Sequence, residues 1–254
     1  MEIGCSLKSL GARFAEGLLA ASKAEISLIE IDWDQIERQI GPNGNIARVA
    51  GYLKEYGLTA GAICAGCISA ERPDQSLLQI KKLKAIFERI KAIGADLAVI
   101  TGGARTLENF NVLADLLREV ITDTDQIGMN IAIANKLGSR VERRRDLLAL
   151  FLAGRSRRAG LCLDTYNFHI AGVNPADIVA DHIGRIRLVR ISDAMGTVPV
   201  QIGKGEIDLK GLIDRLKQID YDGPLMVDNL PAAAPDRRVQ QLREAKSYLE
   251  SLLK

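Results

Sequence analysis

Asp164 and His169 stand five residues apart in Asp164-Thr165-Tyr-Asn167-Phe-His169, just past an apolar run. A carboxylate and an imidazole so placed are a proton acceptor and donor for general acid–base work. Glu30 closes a second apolar run and Asp228 a third. A carboxylate taken out of water can accept a proton from a carbon beside a carbonyl. Glu30 could instead pair with Arg190 or Lys136. Arg190, in Leu188-Val-Arg190-Ile-Ser-Asp193, keeps its charge and offers a planar fork of donors for oxyanions or carboxylates. Lys136 follows Ala134 by two residues, so strand alternation gives both the same side. Near Arg190 it is a candidate base or imine-forming amine; the plainer reading is a surface lysine at a strand end.

These groups matter only if the chain brings them together. Short β-rich runs alternate with helical patterns throughout: Glu2–Leu7, Ile26–Asp32, Leu58–Ala65, Leu97–Gly102, Met129–Lys136, Gly160–Thr165, Ile186–Asp193 and Leu225–Leu230. Between them apolar residues recur at three- and four-residue spacing, as in Leu77, Ile80, Leu83, Phe87 and Ile90. Glycines end helices just before strands, at Gly57, Gly94 and Gly223, and Asn174-Pro175 opens a helix with a cap followed by proline. Such alternation demands parallel strands. Eight units in 254 residues predict an α/β fold, a (β/α)8 TIM barrel forming one domain over residues 1–254. A doubly wound sheet is the alternative. In a barrel the site lies at the C-terminal ends of the strands, which gathers Cys5, Lys8, Glu30, Asp32, Cys64, Cys67, Thr101, Ala134, Lys136, Asp164 to His169, Arg190 to Asp193, and Asp228-Asn229.

Other motifs carry less. Cys64-Ala-Gly-Cys67 could be redox-active or half a zinc site, with Cys5 near, but zinc needs a second pair and small apolar packing is the default. Thr101-Gly102-Gly103 could let backbone approach a phosphate, with Arg105 and Lys204 helping, although any sharp turn favours glycine. Arg140 to Arg145 reads as a solvated helix face or an attractor of anions. Arg155, Arg157 and Arg158 belong to the opposite face. Trp33 suits stacking on a sugar ring, or capping the barrel against its own helix. His182 reads as a residue of a helix C-terminus.

Composition narrows the classes. Lys and Arg number 34 against 32 Asp and Glu, a net charge of +2, which disfavours nucleic acid held by bulk charge. Aromatic residues make up 4%, too few for a base-stacking platform. No run approaches the roughly 18 apolar residues of a spanning helix, and the N-terminus lacks a signal-peptide pattern. Four cysteines are too few for a disulfide framework, so the expected setting is a reducing cytoplasm.

The second half resembles the xylose isomerase-like barrels, the superfamily of sugar isomerases, sugar-phosphate epimerases and apurinic endonucleases. The stretch Gly160-Leu-Cys-Leu-Asp164-Thr165-Tyr-Asn167-Phe-His169-Ile-Ala-Gly172 is similar to the family's strand ending Asp-Thr-x-His before an Ala-Gly loop. Ile186 to Asp193 resembles the strand ending His-x-x-Asp. Ile202-Gly-Lys204-Gly-Glu206-Ile-Asp208 resembles the Gly-x-Gly-Glu-Ile-Asp turn, and Tyr221 to Asp228 the last strand.

The resemblance implies a divalent metal on two glutamates, an aspartate and a histidine. Carried over, the four positions are Ala134, Asp164, Arg190 and Asp228. Two carboxylates remain, and a guanidinium, which has no lone pair to give, stands at the histidine position. The expectation is no cofactor, manganese or magnesium being disfavoured by Ala134 and Arg190, with Arg190 bridging Asp164 and Asp228 in place of the cation.

Two readings stay open. One is a sugar or sugar-phosphate isomerase or epimerase that works without the metal, using Glu30, Lys136, Asp164, His169 or Asp228 for proton transfer. Arg190, Lys204, Asn167, Trp33 and Asp193 would then bind a sugar, polyol or sugar phosphate. The other is a catalytically retired barrel that binds a small polyol or anion or supports a partner subunit. A repair endonuclease is disfavoured, because two histidines cannot furnish its metal cluster. Neither nucleic acid nor membrane is an expected partner. The pattern from Arg237 to Leu253 suits closing the barrel or a contact between like chains.

Overall fold

A computed structural model describes residues 1–10, 13–68, 73–105, 110–153 and 158–254. Arg155 and Arg157 fall outside these. All eight expected runs are strands: β1 (Glu2–Ser6), β2 (Leu28–Asp32), β3 (Thr59–Ile68), β4 (Leu97–Gly102), β5 (Asn130–Ala134), β6 (Ala159–Asp164), β7 (Ile186–Ile191) and β10 (Pro224–Val227). They pair in the order β1-β10-β7-β6-β5-β4-β3-β2 and close into a parallel barrel. The unexpected pair is an antiparallel hairpin, β8 (Asp193–Met195) with β9 (Val198–Val200), inserted after β7.

Helices return the chain outside the barrel. They are α1 (Phe14–Lys23), α2 (Trp33–Ile40), α3 (Ala47–Glu55), α4 (Pro73–Ile93), α5 (Phe110–Ile127), α6 (Arg144–Ala153), α7 (Thr165–Ile170), α8 (Pro175–Asp181), α9 (Leu209–Gln218) and α10 (Pro235–Leu253). The crossings after β2 and β6 are split in two, where one helix each was expected. Asn174 caps α8 by accepting from the Ala176 N–H at 3.0 Å, and His182 is the C-cap that follows its last residue, Asp181.

Strand alternation sorts the apolar residues into two layers. Outward residues pack against the helices in one large core. Inward ones, among them Leu28, Val99, Ala132, Ala134, Cys162, Leu188 and Met226, fill the barrel as a second cluster. Space there is tight: a Cβ on Gly4 would lie 2.5 Å from Met226 Sδ and 2.7 Å from the Leu28 carbonyl oxygen. The same alternation fixes the next inward residues upward, and so fixes the site.

One expectation needs correcting. Cys5 was placed at the mouth, but it is paired with Ile29 and buried in the outer core, while Ser6 stands beside Glu30 and faces inward. The error was one residue of register, which turns a side chain to the opposite face.

Candidate functional site

The inward residues at the top of the strands line a cavity of about 800 Å³. At its base Arg190 of β7 donates from Nε to Glu30 Oε2 at 3.0 Å and from Nη2 to Glu30 Oε1. Its Nη1 lies 3.8 Å from Asp164 Oδ2. The side chains of Arg190, Glu30 and Asp164 are 12%, 1% and 6% exposed. The expected bridge between Asp164 and Asp228 is therefore not the arrangement found. Glu30, the most deeply buried carboxylate, takes the fork, and half-buried Asp228 acts on Arg190 through its charge.

Burial sets the protonation of this group. It pushes Asp164 up to about 6 against the pull of Arg190, and Asp228 adds to the rise. It also raises Glu30, again opposed by Arg190. Burial works against the charge of Arg190, but Cys162, Glu30 and Asp228 more than offset it and hold the pKa well above its ordinary value.

Asp164 is held from every side. Asn135, itself buried, accepts from the Asp164 N–H at 2.9 Å and donates to its carbonyl at 3.3 Å. Thr165 donates to the Ser192 carbonyl at 3.0 Å and accepts from its N–H at 2.8 Å, tying β6 to β7. Asp164 Oδ1 caps α7 by accepting from the Asn167 N–H at 2.9 Å. Oδ2 is left as the oxygen nearest Arg190, in a buried carboxyl able to change its charge near neutral pH.

Of the other expected residues, Lys136, Asn167, Trp33 and Asp228 also line the cavity. Trp33 is 3% exposed, with the Arg89 guanidinium 4.9 Å from its ring centre, so one face is already covered. Asn167 Oδ1 accepts from the Leu137 N–H at 3.4 Å.

His169 lies elsewhere: its Nε2 is 3.0 Å from the Gly196 carbonyl and 3.3 Å from Glu206, beneath the hairpin. Asp193 is a structural anchor. Its carboxylate accepts from the N–H groups of Gly203, Gly205, Ala194 and Ile207 at 2.8 to 3.3 Å. A Cβ on Gly205 would lie 2.1 Å from that carboxylate, which explains the second glycine of Gly-Lys-Gly. Lys204 is exposed on this turn and is not among the residues that line the cavity.

Around Thr101-Gly102-Gly103, Thr101 lines the cavity while its neighbours serve local packing. Gly102 packs against Val141 and Arg140, and Arg105 is engaged with Asp146 and the carbonyls of Ser139 and Arg140. Arg140 is fully buried and donates to the Ile68 carbonyl, unlike the exposed Arg143, Arg144 and Arg145 that follow it.

Cys64 and Cys67 both line the cavity, because the register of β3 shifts at Gly66, whose φ of +106° suits glycine. Burial raises Cys64 to about 11, so its thiol is not an activated nucleophile. Among the described residues, no group of three His, Cys, Asp or Glu is placed to hold a metal ion.

Sequence reasoning missed the wall made by Leu230 to Ala233, Arg238 and Gln241.

A family model described as a xylose isomerase-like TIM barrel matches residues 7–252. The chain belongs to that family. Among solved structures, the barrel superposes on a xylose isomerase-like TIM barrel/4-hydroxyphenylpyruvate dioxygenase fusion protein at a TM-score of 0.82 and 19% identity, covering 99% of this chain and 44% of that one. The IOLI protein, solved with a bound zinc atom, gives 0.83 at 18% identity over 100% and 98%. D-allulose 3-epimerase from Methylomonas sp., in complex with D-allulose, gives 0.78 at 20% identity over 99% and 96%. No curated protein matches in sequence. At these identities the structural likeness speaks for the xylose isomerase-like fold alone.

Proposed function

We propose that this barrel is a sugar isomerase or epimerase that moves a proton beside a carbonyl without the family's divalent metal. The observation that carries the reading is the buried Glu30–Arg190–Asp164 group at the base of an 800 Å³ cavity. A divalent ion does not fit these residues. Ala134 brings no donor atom, Arg190 brings a second positive charge, and both oxygens of Glu30 are already taken by Arg190.

What the residues do fit is an internal cation beside a base. Arg190 Nη1 faces Asp164 and the cavity, and it would donate to the carbonyl oxygen of an open-chain sugar. Asp164 Oδ2, ionised above about pH 6, would take the proton from the adjacent carbon, leaving an enediolate whose oxygen charge Arg190 balances. Return of the proton to the same carbon from the other face, or to its neighbour, gives epimerisation or isomerisation. Asp228 and Lys136 are the cavity groups available for that second transfer. His169 and Lys204 take no part in it, and Asp193 serves the scaffold. D-allulose bound to the Methylomonas epimerase supports a ketose as the first substrate to try.

The test is deuterium exchange. Neutral and phosphorylated ketoses are incubated with the protein in deuterated water and a chelator, and loss of the C–H signal beside the carbonyl is followed by proton NMR. Exchange abolished by Asp164→Asn and indifferent to chelation is the expected result. Exchange that requires added manganese overturns the metal-free reading. Saturable binding with no exchange favours the retired barrel, for which the closed Glu30–Arg190 pair is the specific observation.

A further inference from the structure

Cys64 and Cys67 stand three residues apart on β3. On an undisturbed strand that spacing turns two side chains to opposite faces, about 10 Å apart along the chain. The bulge at Gly66 changes both terms. Cys64 pairs with Val99 and Cys67 with Thr101, so the cysteines stand opposite residues only two apart on β4. Two rises of a strand put their Cα atoms about 6.6 Å apart. Paired residues on neighbouring strands face the same side. Val99 fills the barrel interior and Thr101 lines the cavity, and both cysteines accordingly face inward and line that cavity. A disulfide spans Cα separations of roughly 4.4–6.8 Å. The two free thiols are thus within bridging reach, at its upper end.

Their surroundings differ. Cys67 is exposed, open to a reagent entering the cavity. Cys64 is covered: burial pushes its thiol up to about 11, with Arg190 opposing and Asp32 and Glu30 adding. It therefore lies within the field of the Glu30–Arg190 pair, on the strand that faces β7 across the barrel. The other two cysteines are fully buried away from this pair, Cys5 in the outer core and Cys162 in the barrel filling. Gln79 Nε2 donates to the Cys67 carbonyl at 2.9 Å, which ties the end of the bulged stretch to α4. An exposed thiol with a covered one beside it on the same face is the arrangement of an entry cysteine and its resolving partner.

We propose that Cys64 and Cys67 form a reversible thiol-oxidation site in the cavity wall, oxidised by low-molecular-weight disulfides. The Cys67 thiolate attacks one sulfur of the small disulfide, and the other sulfur leaves as a thiolate that takes up a proton. Cys64 then gives up its proton and attacks Cys67 Sγ, breaking the mixed disulfide and releasing the second small thiol. The two cysteines are oxidised to one bridge and the small disulfide is reduced to two thiols. Because the Cα spacing lies at the top of the permitted range, the bulge must tighten to close the bridge, which makes the bond readily reducible. Such a pair suits a sensor rather than a structural staple. The proposal goes beyond the function proposed above and does not rest on it.

The experiment treats the reduced full chain with excess oxidised glutathione at mildly alkaline pH, followed by acid quenching, intact-mass measurement and peptide mapping without reductant. The expected product has lost two hydrogens, carries its bridge within the peptide that holds Cys64 and Cys67, and titrates as two free thiols where the reduced chain has four. Dithiothreitol should restore all four. Cys64→Ala should stop at the mixed disulfide, keeping one glutathione on Cys67, and Cys67→Ala should take up neither glutathione nor a bridge. The wild-type result stands whether or not either variant folds. Glutathione that stays on wild-type Cys67 with no bridge would overturn the proposal. So would a chain that does not react, a bridge that engages Cys5 or Cys162, or the same loss of two hydrogens in Cys64→Ala. None of these readouts involves turnover, so the deuterium-exchange test of the proposed function succeeds or fails separately.

Discussion

Arg190 and Glu30, 160 residues apart in sequence, meet across the barrel as a two-point pair in which both carboxylate oxygens are used. Breaking such a buried pair strands a charge and costs about 3–5 kcal/mol. Arg190→Met should therefore destabilise the fold by about that much, and the double change with Glu30→Gln by clearly less. Urea denaturation of the two singles and the double measures this. Additive losses would mean that the pair is not a coupled unit.

Asp164 gives the protein a pH dependence of known sign. Its folded pKa of about 6 lies above the ordinary carboxylate value. The stability it contributes is present below that ordinary value and is lost as pH rises through about 6. Asp164→Asn should flatten the stability profile between about pH 4 and 7. Where the protein exchanges a substrate proton, the rate should rise with pH through the same window. A rate limb at a much lower pH would assign the base to another group.

The barrel was legible because its signal is repeated eight times, and apolar periodicity survives errors of a residue at each end. The site was legible only where strand alternation runs undisturbed. It turned Glu30, Asp164 and Arg190 inward, where the structure brings them together, and it failed at Cys5, where the choice between neighbours Cys5 and Ser6 turns on register. The bulge at Gly66 that brings Cys64 and Cys67 to one side has no sequence mark beyond a glycine. The Glu30–Arg190 fork required a choice among several carboxylates, and burial decided it. Gln241 was not singled out, because it stands between Val239 and Leu242 of an apolar stripe that reads only as packing on the barrel.

His182 titrates in the opposite direction. It is 1% exposed, packs edge-on against Phe151 at 5.4 Å, and its pKa is lowered by burial, with Arg185 and Arg144 adding and Asp181 opposing. Above about pH 6.5 it is neutral folded or unfolded and costs nothing. Below that, the unfolded chain gains the proton first and stability falls. His182→Phe should reduce the loss of melting temperature between about pH 7 and 5. An unchanged slope would place the acid sensitivity elsewhere.

Thiol reactivity should separate the cysteines of the Cys64–Cys67 stretch. Cys67 is exposed at the cavity, whereas burial holds Cys64 at about 11 and Cys5 at about 12. Only the thiolate attacks an alkylating agent. At about pH 8 a thiol of pKa 11 is ionised to roughly one part in a thousand. One equivalent of maleimide should therefore label Cys67 well before Cys64, as peptide mass mapping would read. Ligands that fill the cavity should slow that labelling, since Cys67 lines it. Equal labelling of both residues would mean that the β3 bulge opens in solution and exposes Cys64, which would also loosen the wall opposite Arg190.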